Sequence, residues 1–173
     1  MNLPGSLAFR FRSTEGKRRT DMARTSKTVE YLAERELRRR VRTSNTAKQF
    51  GFVVQHVERG KVTIRMPVNA RHKQIHGVVH GGVLAALADT AGGLATYMAS
   101  PLGTRVATVE MKINFLDAVE AGSVTAEAVV VRIGRHIAVT DCDLRDNSGR
   151  LVAKALMTFF VGPFRKNRKR RLS

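Results

Sequence analysis

The chain has 173 residues, 43% of them hydrophobic, one cysteine and a formal net charge of +17 at pH 7. That length supports a single domain with one respectable core. A lone cysteine, Cys142, excludes a disulfide framework and a cysteine-rich zinc site, so a reducing, cytoplasmic compartment is expected.

The basicity sits at the ends: residues 1–48 carry 13 Lys/Arg against 5 Asp/Glu, residues 162–173 carry 6 against none, and the middle is nearly balanced. Such ends suit weak electrostatic contact with anionic surfaces. The run Arg165 to Arg171 has no interleaved aromatic to stack a base, so specific nucleic-acid recognition is not expected.

The first 28 residues are rich in Arg, Ser and Thr and lack an apolar run long enough for a secretory signal. Their composition leaves an organellar transit peptide open, and Met22 offers an alternative start that would make residues 1–21 upstream translation. Val29, Leu32, Leu37 and Val41 interleave with charges, which predicts a helix over 29–41, N-capped by Thr28 and packed loosely or lying on a surface. Residues 1–44 thus form a basic extension with one short helix and scope for disorder, residues 45–163 the globular domain, and residues 164–173 a basic tail.

Phe52 to Val57 and Val62 to Met66 read as two strands turned at Glu58-Arg59-Gly60. A small-residue, apolar helix follows within HGVVHGGVLAALADTAGGLATYMA, residues 76–99. Four more strands come after it: Val109 to Phe115, Val124 to Ile133, His136 to Leu144 and Leu151 to Val161. Turn chemistry at Ala121-Gly122, Ile133-Gly134-Arg135 and Asp146-Asn147-Ser148-Gly149 separates these four, and the short connections favour antiparallel pairing. A helix apolar on nearly all sides needs cover on nearly all sides, so the expected fold is α+β, one curved antiparallel sheet wrapped around one long helix. A membrane span over 77–99 competes on length alone; five glycines, a histidine and Asp89 oppose it.

Besides histidine, Asp89 is the one side chain of that stretch that ordinarily carries charge at neutral pH. An unpaired buried carboxylate costs several kcal/mol, roughly, unless it is protonated, hydrogen-bonded or facing a polar cavity. On a helical wheel Gly82, Ala85, Ala86, Asp89, Gly92, Gly93 and Thr96 form one stripe of small residues, with Leu84, Leu87, Ala88, Ala91, Leu94, Ala95 and Met98 on the bulky side. Such a stripe admits another backbone or a slender substrate, or packs on a sheet with Asp89 tied to a hydroxyl.

Other groups carry less. His72, His76 and His80 would align as metal ligands on a helix, but Gly77, Gly81 and Gly82 break it; no metal is expected, and His72 and His76 read as surface or loop histidines. Cys142 lies between Asp141 and Asp143, without the basic neighbour a reactive thiol needs, and reads as core. Glu110 and Lys112 read as a solvated sheet face.

The run HGGVLAALADTAGGLA, followed by TVEMKINFL, GSVTAEAVVVRIGR and GRLVAKALMTF, resembles the PaaI-type acyl-CoA thioesterases of the hotdog fold over residues 50–162. The resemblance implies Asp89 as catalytic acid in a general-base or nucleophile role, Thr108 as its hydroxyl partner, and His80 and Gly81 at the helix start, where the Gly81 N–H polarises the thioester carbonyl. It puts Gln74 at the upstream amide position, where many members have Asn and a subgroup similar to menaquinone-pathway thioesterases has Gln. That subgroup usually carries Glu where this chain has Asp89. Substrate contacts are implied for Gly82 and Val83, for Asn114, Phe115 and Leu116, and for the turn Gly134-Arg135-His136 near the pantetheine. Members often have Arg after the NFL segment; this chain has Asp117 there. No cofactor is implied, and the expected partner is an acyl-CoA substrate. Phe50, Phe52, Tyr97 and Met98 are candidates for setting acyl specificity.

Elementary chemistry agrees with those roles. Thioester attack builds negative charge on the carbonyl oxygen, which helix N-terminal N–H groups favour, and it needs a base or nucleophile. His80 and Asp89 are nine residues apart, about 13.5 Å along one helix, too far to act on one carbonyl. Two copies with antiparallel helices solve this, so a homodimer with two shared sites is expected; the resemblance adds the pairing of dimers into tetramers that is common in the family. Alternatives from other classes are a non-catalytic acyl-CoA-binding sensor, which does not need Asp89, and a hydratase or dehydratase on the same fold.

Overall fold

The computed structural model describes residues 14–163, with side chains from Thr28 onward, so the expectations for residues 1–13 and for the tail 164–173 fall outside it. Helix α1 runs Thr14–Thr43. It is longer than the 29–41 pattern, and Thr28 lies inside it instead of capping it: no proline interrupts the segment to force a start there. Nor is its end loosely packed. Leu37 is 0% and Val41 8% exposed, both within the main core, and the Arg38 Nη1 donates to the Val54 carbonyl at 3.2 Å. A short helix α2, Asn45–Phe50, follows; Ser44 Oγ accepts the Ala47 N–H at 3.3 Å and Gly51 closes the helix at φ 67. Six residues are too few to show a period, which is why α2 leaves no trace in the sequence pattern.

Strands β1 (Val53–Glu58), β2 (Lys61–Pro67), β3 (Thr104–Phe115), β4 (Ser123–Ile133), β5 (Ile137–Asp146) and β6 (Leu151–Pro163) form one antiparallel sheet in the order β1-β2-β4-β5-β6-β3. Alternate residues supply the inner face: Val62, Ile64 and Met66 on β2, Val124, Ala126 and Ala128 on β4, and Cys142 and Leu144 on β5 are all fully buried. Cys142 is thus core, and burial, reinforced by the charges of Asp143 and Asp141, pushes its thiol up to about 12. β3 extends five residues upstream of the predicted strand and is an edge.

Helix α3, Gly81–Ala99, packs against one face of the sheet. The sheet covers one side of it only. Leu84, Leu87, Ala88, Ala91 and Ala95 are buried, whereas Gly82 is exposed and Ala85, Ala86, Asp89, Thr90, Gly93 and Leu94 are half-buried. The wheel is therefore rotated from expectation at two places. Gly92 and Thr96 turn into the core: a Cβ on Gly92 would come within 2.5 Å of Met157 and 3.1 Å of Phe159, and Thr96 Oγ1 shares a 2.9 Å hydrogen bond with Thr140. Among the described residues no helix is long and apolar enough to cross a membrane.

His72 is not a surface histidine. It ends a 3-10 turn, Ala70–His72, fully buried beside Phe50, with Nδ1 accepting the Asn69 N–H at 3.4 Å and no partner for Nε2 among the described residues. Burial first, then the Arg71 charge, pushes it below its ordinary value. The unfolded chain therefore takes up this proton before the folded one does. His72 costs no stability above about pH 6.5, and stability falls as pH drops below that toward the depressed folded value. Thermal melts of wild type and His72→Leu should diverge in slope between about pH 6.5 and 5, with the wild type losing more; parallel slopes would remove this account.

Candidate active site

The first turn of α3 uses its orphan donors in a specific way. His80 caps the helix, its Nδ1 accepting the Gly82 N–H at 2.8 Å, and the His80 carbonyl accepts from Val83 at 2.9 Å and Leu84 at 3.3 Å. Among the described residues the Gly81 N–H is the donor left over of the first four, at the positive end of the helix dipole. Beside it stands the ring of Phe115, from which a Cβ on Gly81 would be 3.1 Å away. The glycine thus permits the end of β3 to lie against the helix start.

Asp89 lies two turns further along α3, on its uncovered face. The Thr108 hydroxyl donates to Asp89 Oδ1 at 2.7 Å. Both line an open groove of about 470 Å³ between α3 and β3, with Gly93, Leu94, Val106 and Phe159 as apolar walls. The structure thus offers a carboxylate oriented by a hydroxyl, with space beside it, but no backbone donor at hand: Gly81 and Asp89 are eight residues apart, about 12 Å along the axis.

The remaining candidates divide into two groups. Gln74 and His80 are exposed near the α3 start, and the Gln74 side chain makes no hydrogen bond among the described residues. Asn114, Phe115 and Leu116 are exposed at the end of β3 beside them, while Val83 is buried and presents little surface. The Gly134-Arg135-His136 turn lies at the opposite end of the sheet, where His136 stacks on Phe160 at 6.3 Å and 4° and accepts the Val161 N–H. One chain does not bring these groups together. His72, His76 and His80 fall on a 3-10 turn, a loop and a helix cap, so they do not share a helix face. The Asp117 carboxylate, standing where the resemblance expects Arg, is held by Arg150 Nη1 at 2.6 Å. Of the four specificity candidates Tyr97 lines the Asp89 groove; Phe52 and Met98 belong to the core.

Two basic groove residues, Arg40 and Arg105, are not among the sequence candidates. Arg40, on α1, sits with its guanidinium 4.4 Å above the Tyr97 ring and lines the same groove. The signal for it was the apolar pair Leu37 and Val41 flanking Arg40 in sequence, which implies that this turn of α1 is buried and must face something.

A family model described as thioesterase superfamily matches residues 76–153. Among solved structures, a thioesterase from Haemophilus influenzae superposes with a TM-score of 0.68 at 30% identity, covering 72% of this chain and 88% of that one. The PaaI protein of the E. coli phenylacetic acid degradation operon superposes with a TM-score of 0.71 at 26% identity, covering 76% and 94%. A 1,4-dihydroxy-2-naphthoyl-CoA hydrolase of Listeria monocytogenes is 29% identical over 116 residues, which is 67% of this chain and 94% of that protein.

Proposed function

Because the chain belongs to the thioesterase superfamily, in its hotdog architecture, we infer that it hydrolyses acyl-CoA thioesters at sites shared across a homodimer. The observation that carries this is the Asp89 carboxylate, held by Thr108 on a half-buried helix face beside an apolar-walled groove. Asp89 acts on the thioester carbonyl as base for an attacking water, or attacks it directly to give a mixed anhydride that water opens. The oxyanion forms against the Gly81 N–H of the second protomer, where the helix dipole and a fixed donor favour negative charge, and the coenzyme A thiolate leaves.

Two open surfaces support the dimer. Strand β3 has twelve residues and, among the described residues, pairs on one side only, with β6; its outer edge carries Val109 at 59% and Phe115 at 52% exposure, and such an edge invites pairing. The face of α3 that carries Ala85, Ala86, Asp89 and Gly93 is also only half-buried. Pairing two β3 edges antiparallel, with Thr108 of one protomer near Phe115 of the other, would bring one helix start to the other protomer's Asp89, because Phe115 lies against Gly81 and Thr108 against Asp89.

Thiol release from short, medium, long and aromatic acyl-CoA thioesters tests the reaction, and light scattering on the same sample tests the assembly. Turnover of at least one class by a dimer or larger species is expected. An active monomer would overturn the shared site, and no turnover of any class would move the chain to the acyl-CoA-binding sensor class.

A further inference from the structure

We propose that Arg40 is a specificity-determining residue that selects acyl groups bearing a carboxylate at the end far from the thioester. The proposal rests on the thioesterase reading above for its substrate class. Its ground is the shape and charge of the Asp89 groove. One end holds Asp89 and Thr108, the middle is apolar, and the other end holds Tyr97 and Arg40. Asp89 and Tyr97 are eight residues apart on α3, so the two ends stand about 12 Å apart along the helix, room for an acyl chain of moderate length between them.

Arg40 is held firmly there. Leu37 and Val41 anchor its turn of α1 in the core, the guanidinium lies on the Tyr97 ring, and Nε donates to Glu36 Oε1 at 2.9 Å. These contacts leave its two terminal amino groups without an acceptor among the described residues. Glu36 does not cancel the charge, because the same carboxylate takes two hydrogen bonds from Arg39 at 2.7 and 2.8 Å. Arg105 also lines the groove, and Asp89 is its one acid. The groove is therefore negative at the reacting end and positive at the distal end. A planar guanidinium fixed by stacking, with free parallel N–H groups, matches a carboxylate in both charge and geometry.

The test compares hexanoyl-CoA with adipoyl-CoA and octanoyl-CoA with suberoyl-CoA, pairs that differ in the distal carboxylate. Wild type should show a kcat/KM ratio favouring the carboxylated member of at least one pair by about tenfold or more. Arg40→Gln should lower that ratio at least about tenfold, and Arg40→Lys should lower it less. Binding of non-hydrolysable S-hexyl-CoA and its 5-carboxypentyl counterpart should show the same preference. A wild-type ratio near one in both assays overturns the proposal without reference to any variant, and so does an unchanged ratio in Arg40→Gln, which would leave Arg40 as a fastener of α1. Binding preference without hydrolysis of any thioester would retain Arg40 as the selecting group while removing the thioesterase reading.

Discussion

Asp89→Asn is expected to lower kcat for thioester hydrolysis at least about a hundredfold, a loss of ~2.7 kcal/mol of transition-state stabilisation. The substitution preserves shape, and the amide oxygen can still accept from the Thr108 hydroxyl that now bonds Asp89 Oδ1 at 2.7 Å. What disappears is the charge. An amide is neither a base for water nor a competent nucleophile, so both versions of the proposed step fail together. Because Asp89 is half-buried on a face the sheet does not cover, the melting temperature should move little, and acyl-CoA binding should persist. Steady-state kinetics with a parallel thermal melt check this. Activity within a few-fold of wild type, in a folded variant, would leave Asp89 a structural residue.

Gly81→Pro is the second large expected effect, and under the proposed shared site it acts on the partner chain's Asp89. Proline at the first helical position removes one N–H while keeping helical geometry, and the preceding residue already has the extended backbone that proline requires, with His80 at φ −65 and ψ 134. The added ring atoms press on Phe115, which is half exposed and free to yield. Loss of one oxyanion donor typically costs about 10²–10³ in kcat. Each variant alone should thus be nearly inactive. Refolded together in equal amounts, Asp89→Asn and Gly81→Pro should recover roughly a quarter of wild-type activity: about half of the dimers are mixed, and each mixed dimer has one of its two sites built from two intact halves. Recovery near zero would mean that Asp89 and Gly81 of different chains do not share a site.

The strands and the helix were legible because their signals are local. Alternation at Val62, Ile64 and Met66 and the small-residue run from Gly81 to Ala99 each need only their own few residues to declare a period. The pairing of Asp89 with Thr108 was legible for a different reason, since an acid on an apolar helix demands a donor and the resemblance supplied a candidate. Rotation of the helix was not. Gly92 and Thr96 share the spacing of Asp89, yet Met157, Phe159 and Thr140 claim them for the core.

By itself, then, the sequence determines the order and type of the elements from β1 to β6 and the acid on the central helix, and from helical rise it motivates the proposal of a second chain. Only the tertiary structure decides which face of α3 the sheet leaves open, that the Gly81 N–H is the unspent donor, and that α1 closes the distal end of the groove with Arg40. The physical reason is common to all three. A periodic pattern says that a face will be buried, but what buries it, and how far round the helix the burial reaches, depends on the shape of surfaces brought together from distant parts of the chain.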